Sequence, residues 1–117
     1  MNKKDINKVT NISESLNWRI TVDGKDFEFE KYSPVGQDFC INITADNMED
    51  LIDKLYERYE SYDPSEEAYL WLDESGHGKN GAPYDMKDVY EDMEACQKMI
   101  LELHDAIVSK NRWKINK

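Results

Sequence analysis

The stretch "GHGKNG" at residues 76–81 is one place where residue type and spacing could do chemistry, because glycines beside a lysine can cradle a phosphate. A phosphate-binding loop follows a strand, ends in Gly-Lys-Ser/Thr and leads directly into a helix. Here a helical pattern precedes the stretch, and Asn80 stands where the hydroxyl residue is required. We therefore interpret Gly76 as a helix C-cap and expect no phosphate site.

The same neighbourhood contains a spacing typical of metal ligands, since Asp73 and Glu74 lie four and three residues before His77. No second histidine and no cysteine pair completes a set of ligands. The other histidine, His104, is expected to be a partly buried helix residue. The sequence predicts no metal and no cofactor.

Catalysis by paired carboxylates requires one carboxyl group whose pKa is raised by an apolar pocket. The chain has 25 Asp and Glu residues, and most of them lie on predicted solvent-facing helix surfaces. None of its serines has a histidine neighbour that the sequence makes a convincing base, as nucleophilic catalysis requires. We predict no catalytic residues and a protein that is not an enzyme.

Acidic side chains form the most specific pattern in the chain, between residues 46 and 62. With about 3.6 residues per turn, a helix here has one apolar face made of Met48, Leu51, Ile52, Leu55, Tyr59 and Tyr62. The opposite face is an acidic stripe made of Asp46, Glu49, Asp50, Asp53, Glu57 and Glu60. Two bases, Lys54 and Arg58, lie toward one margin of the stripe.

An acidic stripe attracts basic surfaces, including the grooves with which proteins hold nucleic acid, and it repels nucleic acid and anionic lipid. Tyrosines beside carboxylates also suit protein interfaces. The predicted partner-binding residues are Asp46, Glu49, Asp50, Asp53, Tyr56, Glu57, Glu60, Glu66, Glu67, Asp73 and Glu74. The alternative is that the acidity only keeps the protein soluble.

Charge is unevenly distributed along the chain, whose formal net charge is -10. Residues 44–105 hold eighteen acids and five bases, whereas residues 1–43 are nearly balanced and residues 106–117 hold four bases and no acids. No apolar run approaches the ~20 residues that a membrane span needs. Cys40 and Cys96 are also expected to be free thiols, so we predict a cytoplasmic protein. Its negative charge and its lack of a long apolar run predict that it binds neither nucleic acid nor membrane directly.

Alternating apolar residues predict a β-hairpin followed by a third strand. Asp23-Gly24 suits a two-residue turn in which glycine takes a positive φ. The register predicted from this turn pairs Val22 with Lys25, Ile20 with Phe27 and Trp18 with Phe29. The third strand has Phe39, Ile41 and Ile43 on one face and Cys40 and Asn42 on the other. A sheet with one apolar face requires a cover of helices.

Three helices are predicted to provide that cover. Thr44 or Asp46 can cap the first helix, which ends at Asp63-Pro64. A second helix starts at Pro64 and stops at Gly76, and the third runs from about Tyr84 to Ser109. The third helix carries an apolar seam made of Val89, Met93, Cys96, Ile100, Leu103 and Ile107. This seam can pack within the chain or against a second copy.

These patterns predict an α+β fold, a three-stranded antiparallel β-meander covered by three α-helices in the order β-β-β-α-α-α. Residues 1–16 are expected to form an N-terminal arm, either frayed or as a short helix. Residues 17–109 are expected to form the domain, and residues 110–117 a basic tail.

Residues 17–108 resemble a group of small acidic proteins from bacteriophages and conjugative elements of Gram-positive bacteria. The stretches that carry the resemblance are "KYSPVGQDFCINI" and "YDPSEEAYLWLDESGHGKNGAPYDMKDVYEDMEACQKMILELHDAI". The shared positions are Tyr32-Ser33-Pro34, Gly36, Asp63-Pro64, Trp71, Gly78, Gly81 and Pro83. The group has no generally assigned activity, and the N-terminal arm and basic tail of this chain depart from its pattern.

The resemblance implies an origin in mobile elements, which carry small acidic inhibitors of host defence such as anti-CRISPR and anti-restriction proteins. By analogy, we expect a non-catalytic inhibitor whose acidic surface blocks the basic groove of a nucleic-acid-handling host protein, with a CRISPR effector as the first candidate. The alternative is a small adaptor or homodimeric structural protein that uses the apolar seam of the last helix.

Overall fold

The structure is a computed structural model that describes residues 1–75 and 86–115, with the side chains of 69, 71–75, 86 and 111–115 left out. Its elements are α1 (Lys3–Ser15), β1 (Arg19–Asp23), β2 (Asp26–Tyr32), β3 (Asp38–Thr44), α2 (Met48–Ser61), α3 (Pro64–Ser75) and α4 (Met86–Ile115). The strands form one antiparallel sheet in the order β1-β2-β3. The fold is therefore α+β, with the predicted meander and a further helix before it.

One face of the sheet belongs to the core. Phe27, Phe29 and Ile41 are almost completely buried there, and Ile43 is also buried. The other face is polar and faces solvent. This division follows the period-two alternation of the sequence, because successive strand side chains point to opposite faces.

The hairpin register differs from the prediction by two residues. Val22 pairs with Phe27, Ile20 pairs with Phe29, and Asp23 pairs with Asp26. The turn residues are therefore 24 and 25, with positive φ at Gly24 (61°) and not at residue 25. A type II′ turn needs positive φ only at its first central position, which Gly24 supplies. Because the shift is an even number of residues, every side chain stays on its predicted face.

The connection between β2 and β3 is a tight loop over residues 34–36. Gly36 N donates to the Ser33 carbonyl (2.9 Å), and Ser33 N donates to the Gln37 carbonyl (2.8 Å). Pro34 fits the first central position of the turn, and Gly36 has a φ of 89°. This is the three-residue hairpin loop in which a turn is followed by a left-handed residue. The resemblance positions 33, 34 and 36 are thus requirements of the turn.

The N-terminal arm is the helix α1, capped by the Asn2 side chain, which accepts from Asp5 N at 2.8 Å. Val9 and Ile12 on this helix are buried in the core, and α1 packs against β1 and α4. The buried Ser13 hydroxyl donates to the Val9 carbonyl (2.7 Å). Residues 3–15 therefore belong to the folded unit.

The cap of α2 is Asn47, whose side chain accepts from Asp50 N (2.8 Å). The prediction of Thr44 or Asp46 was wrong. Thr44 is the last residue of β3, and its hydroxyl donates to Asp26 (2.7 Å). Asn47 has extended backbone angles just before the first helical residue, which is the geometry an N-cap requires.

The helix α3 begins at the predicted position. Pro64 is its first residue, where a missing N–H costs nothing. The Asp63 carboxylate accepts from Ser65 N (3.0 Å) and Glu66 N (3.4 Å), so it satisfies two of the free amides of the first turn.

The helix α4 packs against α1, α2 and α3. All six residues of the apolar seam are buried within this single chain. The helix continues to Ile115, beyond the predicted end at Ser109, because no proline or glycine interrupts residues 110–115. Most of the predicted basic tail is therefore helical.

Candidate functional site

The helix α2 has the predicted two-sided character. Leu51, Leu55 and Tyr62 are buried, and its other apolar residues pack partly buried against the core. Of the acidic stripe, five residues are exposed: Asp46, Glu49, Asp53, Glu57 and Glu60. Asp50 is half-buried. Five members of the stripe thus lie on α2, with Asp50 partly covered, whereas Asp46 precedes the helix, which begins at Met48.

Two members of the stripe are paired with bases of the same chain. Lys25 contacts the Asp46 carboxylate (2.8 Å), and Lys54 contacts the Asp50 carboxylate (3.2 Å). The hydrogen bond and charge of Lys25 lower the pKa of Asp46. The Asp46 backbone N–H, followed by Lys54, lowers the pKa of Asp50. These two carboxylates stabilise the start of α2 and are partly neutralised.

The other four carboxylates are the charged part of the site. Glu49, Asp53, Glu57 and Glu60 have no ion pair within the described residues. At ~1.5 Å per residue, they rise about 6, 6 and 4.5 Å along the helix. We call these four the free carboxylate ladder.

The tyrosines near the ladder divide into core and surface. Tyr62 is buried, and its hydroxyl contacts the Met93 sulfur (3.3 Å). Burial, more than any neighbouring charge, raises the pKa of Tyr62 well above its usual range. Tyr56 is 42% exposed and packs on His104, with ring centres 5.2 Å apart. Tyr56, the tyrosine in the predicted partner-binding set, is therefore exposed enough to contact a partner.

The acidic residues of α3 are only partly described. Glu66 is exposed, and Glu67 is half-buried. The side chains of Asp73 and Glu74 lie outside the described residues. The stretch 76–81 also lies outside them, and with it the predicted C-cap Gly76 and the prediction that this stretch forms neither a phosphate nor a metal site.

The solvent face of the sheet adds acidic residues that the partner-binding prediction left out. Its carboxylates are Asp23, Asp26, Glu28, Glu30 and Asp38, in neighbouring rows of the sheet. Arg19 contacts Glu30 (3.6 Å) and lies over the ring of Tyr32 (4.9 Å). A hydrogen bond with Glu30 raises the pKa of Glu28, because the two carboxyl groups favour sharing a proton. The alternation of polar and apolar residues along the strands was the signal that could have identified this acidic surface.

The thiols are both free, with Cys40 exposed on β3 and Cys96 buried on α4. Burial raises the pKa of Cys96 to about 12, with the charge of Asp92 adding to the effect. Wherever side chains are described, no group of three or more His, Cys, Asp or Glu is arranged to hold a metal ion. None of the described helices combines the length and apolar composition of a membrane span.

Comparisons with protein-family models, with curated proteins and with solved structures find no match to this chain.

Proposed function

We propose that this protein is a non-catalytic inhibitor that occupies the basic nucleic-acid groove of a host defence protein, with a CRISPR effector as the first candidate. The free carboxylate ladder carries the proposal, since its members are exposed, aligned on one helix and without an ion pair to any base that the structure describes. Carboxylates of this kind attract the lysines and arginines that line such a groove. The site of action is the cytoplasm of the bacterial host.

The spacing of the ladder alone is wider than that of duplex phosphates. Each DNA strand carries one phosphate per ~3.4 Å of axis, whereas the ladder rises about 5–6 Å per carboxylate. The carboxylates of the solvent face of the sheet provide additional negative charge on β1, β2 and β3. We infer that the ladder makes the contact in the groove and that the sheet carboxylates add to the long-range attraction of a basic partner.

The alternative of a homodimer through the apolar seam has weaker support. All six seam residues are buried inside the monomer, so a seam dimer would require α4 to leave its own core. A dimer through another surface stays a separate prediction, which sedimentation analysis tests.

The test is charge reversal of the ladder in a nuclease inhibition assay. The variant E49K/D53K/E57K/E60K is expected to lose inhibition of DNA cleavage by a purified, guide-loaded CRISPR effector that the wild-type protein inhibits. The matched control reverses four exposed acids elsewhere: E14K/D88K/E91K/D105K. Both variants change the net charge equally, so only a specific surface separates them.

Circular dichroism checks that both variants stay folded. Retained inhibition by the ladder variant, or equal loss in both variants, would reject the proposed site. If the wild-type protein inhibits no member of a panel of CRISPR effectors, this class of partner is rejected.

A further inference from the structure

Within the described residues, the strand β3 has one edge with no strand beside it. In the sheet order β1-β2-β3 these residues pair β3 with β2 alone, whereas β1, at the opposite edge, has α1 packed against it. An open edge presents unpaired N–H and C=O groups and is a template for another strand. The helix α2 also packs against β3, so the edge lies beside a helix.

The hydrogen bonds at the two ends of β3 show which residues face this edge. Ser33 N donates to the Gln37 carbonyl (2.8 Å), and Ala45 N donates to the Lys25 carbonyl (2.9 Å). Odd-numbered positions therefore bond toward β2, because antiparallel strands alternate their bonding direction. Even-numbered positions 38–44 face outward, and the Thr44 carbonyl confirms this by accepting from Lys54 (2.6 Å).

A groove follows the open edge between the sheet and the helices. One part, about 510 Å³, lies between the end of β3 and α2 and is lined by Ile43, Lys54, Glu57 and others. The other part, about 290 Å³, reaches α3 and is lined by residues including Phe39 and Leu70. An added strand at ~4.8 Å from β3 would lie along this groove.

The surroundings of the groove define the sequence of such a strand. Its side chains on the solvent face would lie next to Cys40 and Asn42, whose row neighbours on β2 are Glu30 and Glu28. This face favours basic side chains. Side chains on the other face would lie near Phe39, Ile43 and Leu70, so they should be apolar.

We propose that the edge of β3 receives an extended segment of the partner, in which basic and apolar residues alternate, as a fourth strand of the sheet. The proposal rests on the proposed function, because it specifies how part of a basic partner is held. A second copy of this chain is disfavoured as the occupant, since it carries the same net charge of -10. Main-chain hydrogen bonds would supply affinity, and the alternating side chains would supply specificity.

Two bases of α2 affect how the added segment can bind. Lys54 occupies the Thr44 carbonyl, so the available edge extends from Asp38 to Asn42. Arg58 lines both parts of the groove and has no ion pair within the described residues. Removing its charge and bulk by Arg58→Ala is therefore expected to strengthen binding of the segment.

The test uses the capped peptide Lys-Val-Lys-Val-Lys-Val-Lys and two versions with N-methylated backbone amides. One version is methylated at every lysine after the first and the other at every valine, so each blocks the hydrogen bonds on one edge of the peptide. Because only one edge faces β3, we expect one version to lose at least about tenfold in affinity, or about 1.4 kcal/mol, while the other binds like the parent. Amide exchange at Cys40 and Asn42 should slow in the same complexes.

The outcomes separate this inference from the proposed function. Equal binding of both methylated peptides would show attraction to the acidic surface without strand addition, which would overturn the inference and leave the function standing. Failure of the unmethylated peptide to bind would also overturn the inference. Retained nuclease inhibition by the ladder variant would instead overturn the proposed function, whatever the peptides do.

Discussion

The carboxylate of Asp92 lies inside the protein, with only 4% of the residue exposed. One oxygen accepts from Val35 N at 3.4 Å, and the other has no hydrogen-bond partner among the residues that the structure describes. A buried charge with so few partners is costly. The hydrogen bond from Val35 N to Asp92 holds the loop between β2 and β3 against α4.

Asp92→Asn is expected to increase the free energy of unfolding at neutral pH by about 1 kcal/mol. The amide keeps an acceptor for Val35 N and removes the buried charge. Urea unfolding measures the change, with Glu91→Gln as an exposed control that should stay within about 0.5 kcal/mol. A destabilised Asp92→Asn variant beside an unchanged control would show that the charge itself stabilises the fold.

The thiol of Cys96 makes stability sensitive to alkaline pH. Its pKa is raised to about 12 because burial disfavours the thiolate, whereas an unfolded thiol has a pKa of about 8.5. The contribution of Cys96 is therefore complete below the unfolded pKa and is lost as pH rises toward the folded pKa. The slope can reach about 1.4 kcal/mol per pH unit.

Cys96→Ala is expected to flatten the decline in unfolding free energy between about pH 9 and pH 10. Denaturant unfolding across this range measures the slope, so the cavity that the substitution creates does not affect the comparison. Cys40→Ala is the comparison: partial burial also raises the pKa of this more exposed thiol, without the large shift of Cys96, so its removal should flatten the slope less. If both variants show the wild-type slope, Cys96 does not titrate with unfolding.

At the scale of elements, α1 shows why a short amphipathic helix is hard to predict. Its apolar stripe is narrow and is interrupted by Ser13, which is nevertheless buried because its hydroxyl bonds to the Val9 carbonyl. The spacing of Ile6, Val9 and Ile12 carried the signal. The sequence left an arm or a short helix open, and the packing against β1 and α4 decides in favour of the helix.

Ile12→Ala is expected to lower the free energy of unfolding by about 2–4 kcal/mol, because a buried side chain leaves a cavity. The neighbouring exposed residue supplies the control, since Asn11→Ala should change stability by less than about 0.5 kcal/mol. Chemical denaturation of both variants compares them. Equal stabilities would mean that α1 is an appended arm.

The sheet shows what alternation determines and what it leaves open. The faces of Ile20, Val22, Phe27 and Phe29 were predictable because the period of two fixes them. The register was not, since a turn at 23–24 and a turn at 24–25 both use Gly24. Pairing Val22 with Phe27 places two apolar residues together, which the predicted pairing of Val22 with Lys25 does not.

The candidate site was predictable in outline for the same reason. Helical periodicity alone placed the acidic stripe on one side of α2. It did not show the pairing of Asp46 with Lys25, because that contact joins a helix to a hairpin turn. The open edge of β3 also requires the strand order, which emerges only when the whole chain is folded.

At the scale of the whole molecule, acidity is concentrated on two surfaces where the described bases pair with only some of the carboxylates. The free carboxylate ladder and the solvent face of the sheet both face water. The basic residues of α1 and of the end of α4 lie on other elements, so the charge is unevenly distributed over the surface. Such a distribution orients the protein as it approaches a positively charged partner.

This orientation should make association faster at low salt. For an effector that the protein inhibits, the association rate is expected to fall by about tenfold or more when ionic strength rises from low to moderate. Stopped-flow experiments measure this rate for the wild-type protein and for the control variant E14K/D88K/E91K/D105K, which is less negative overall but keeps the free carboxylate ladder. The comparison separates the effect of the net charge from that of the ladder. A rate independent of salt in the wild-type protein would contradict electrostatic attraction.

The most direct measurement is competition between this protein and duplex DNA for the groove of the inhibited effector. We expect the apparent Kd of the guide-loaded effector for its target DNA to rise in proportion to the concentration of the wild-type protein. The E49K/D53K/E57K/E60K variant should leave that Kd unchanged. Simultaneous binding of DNA and inhibitor to one effector, with both affinities unaltered, would contradict the account.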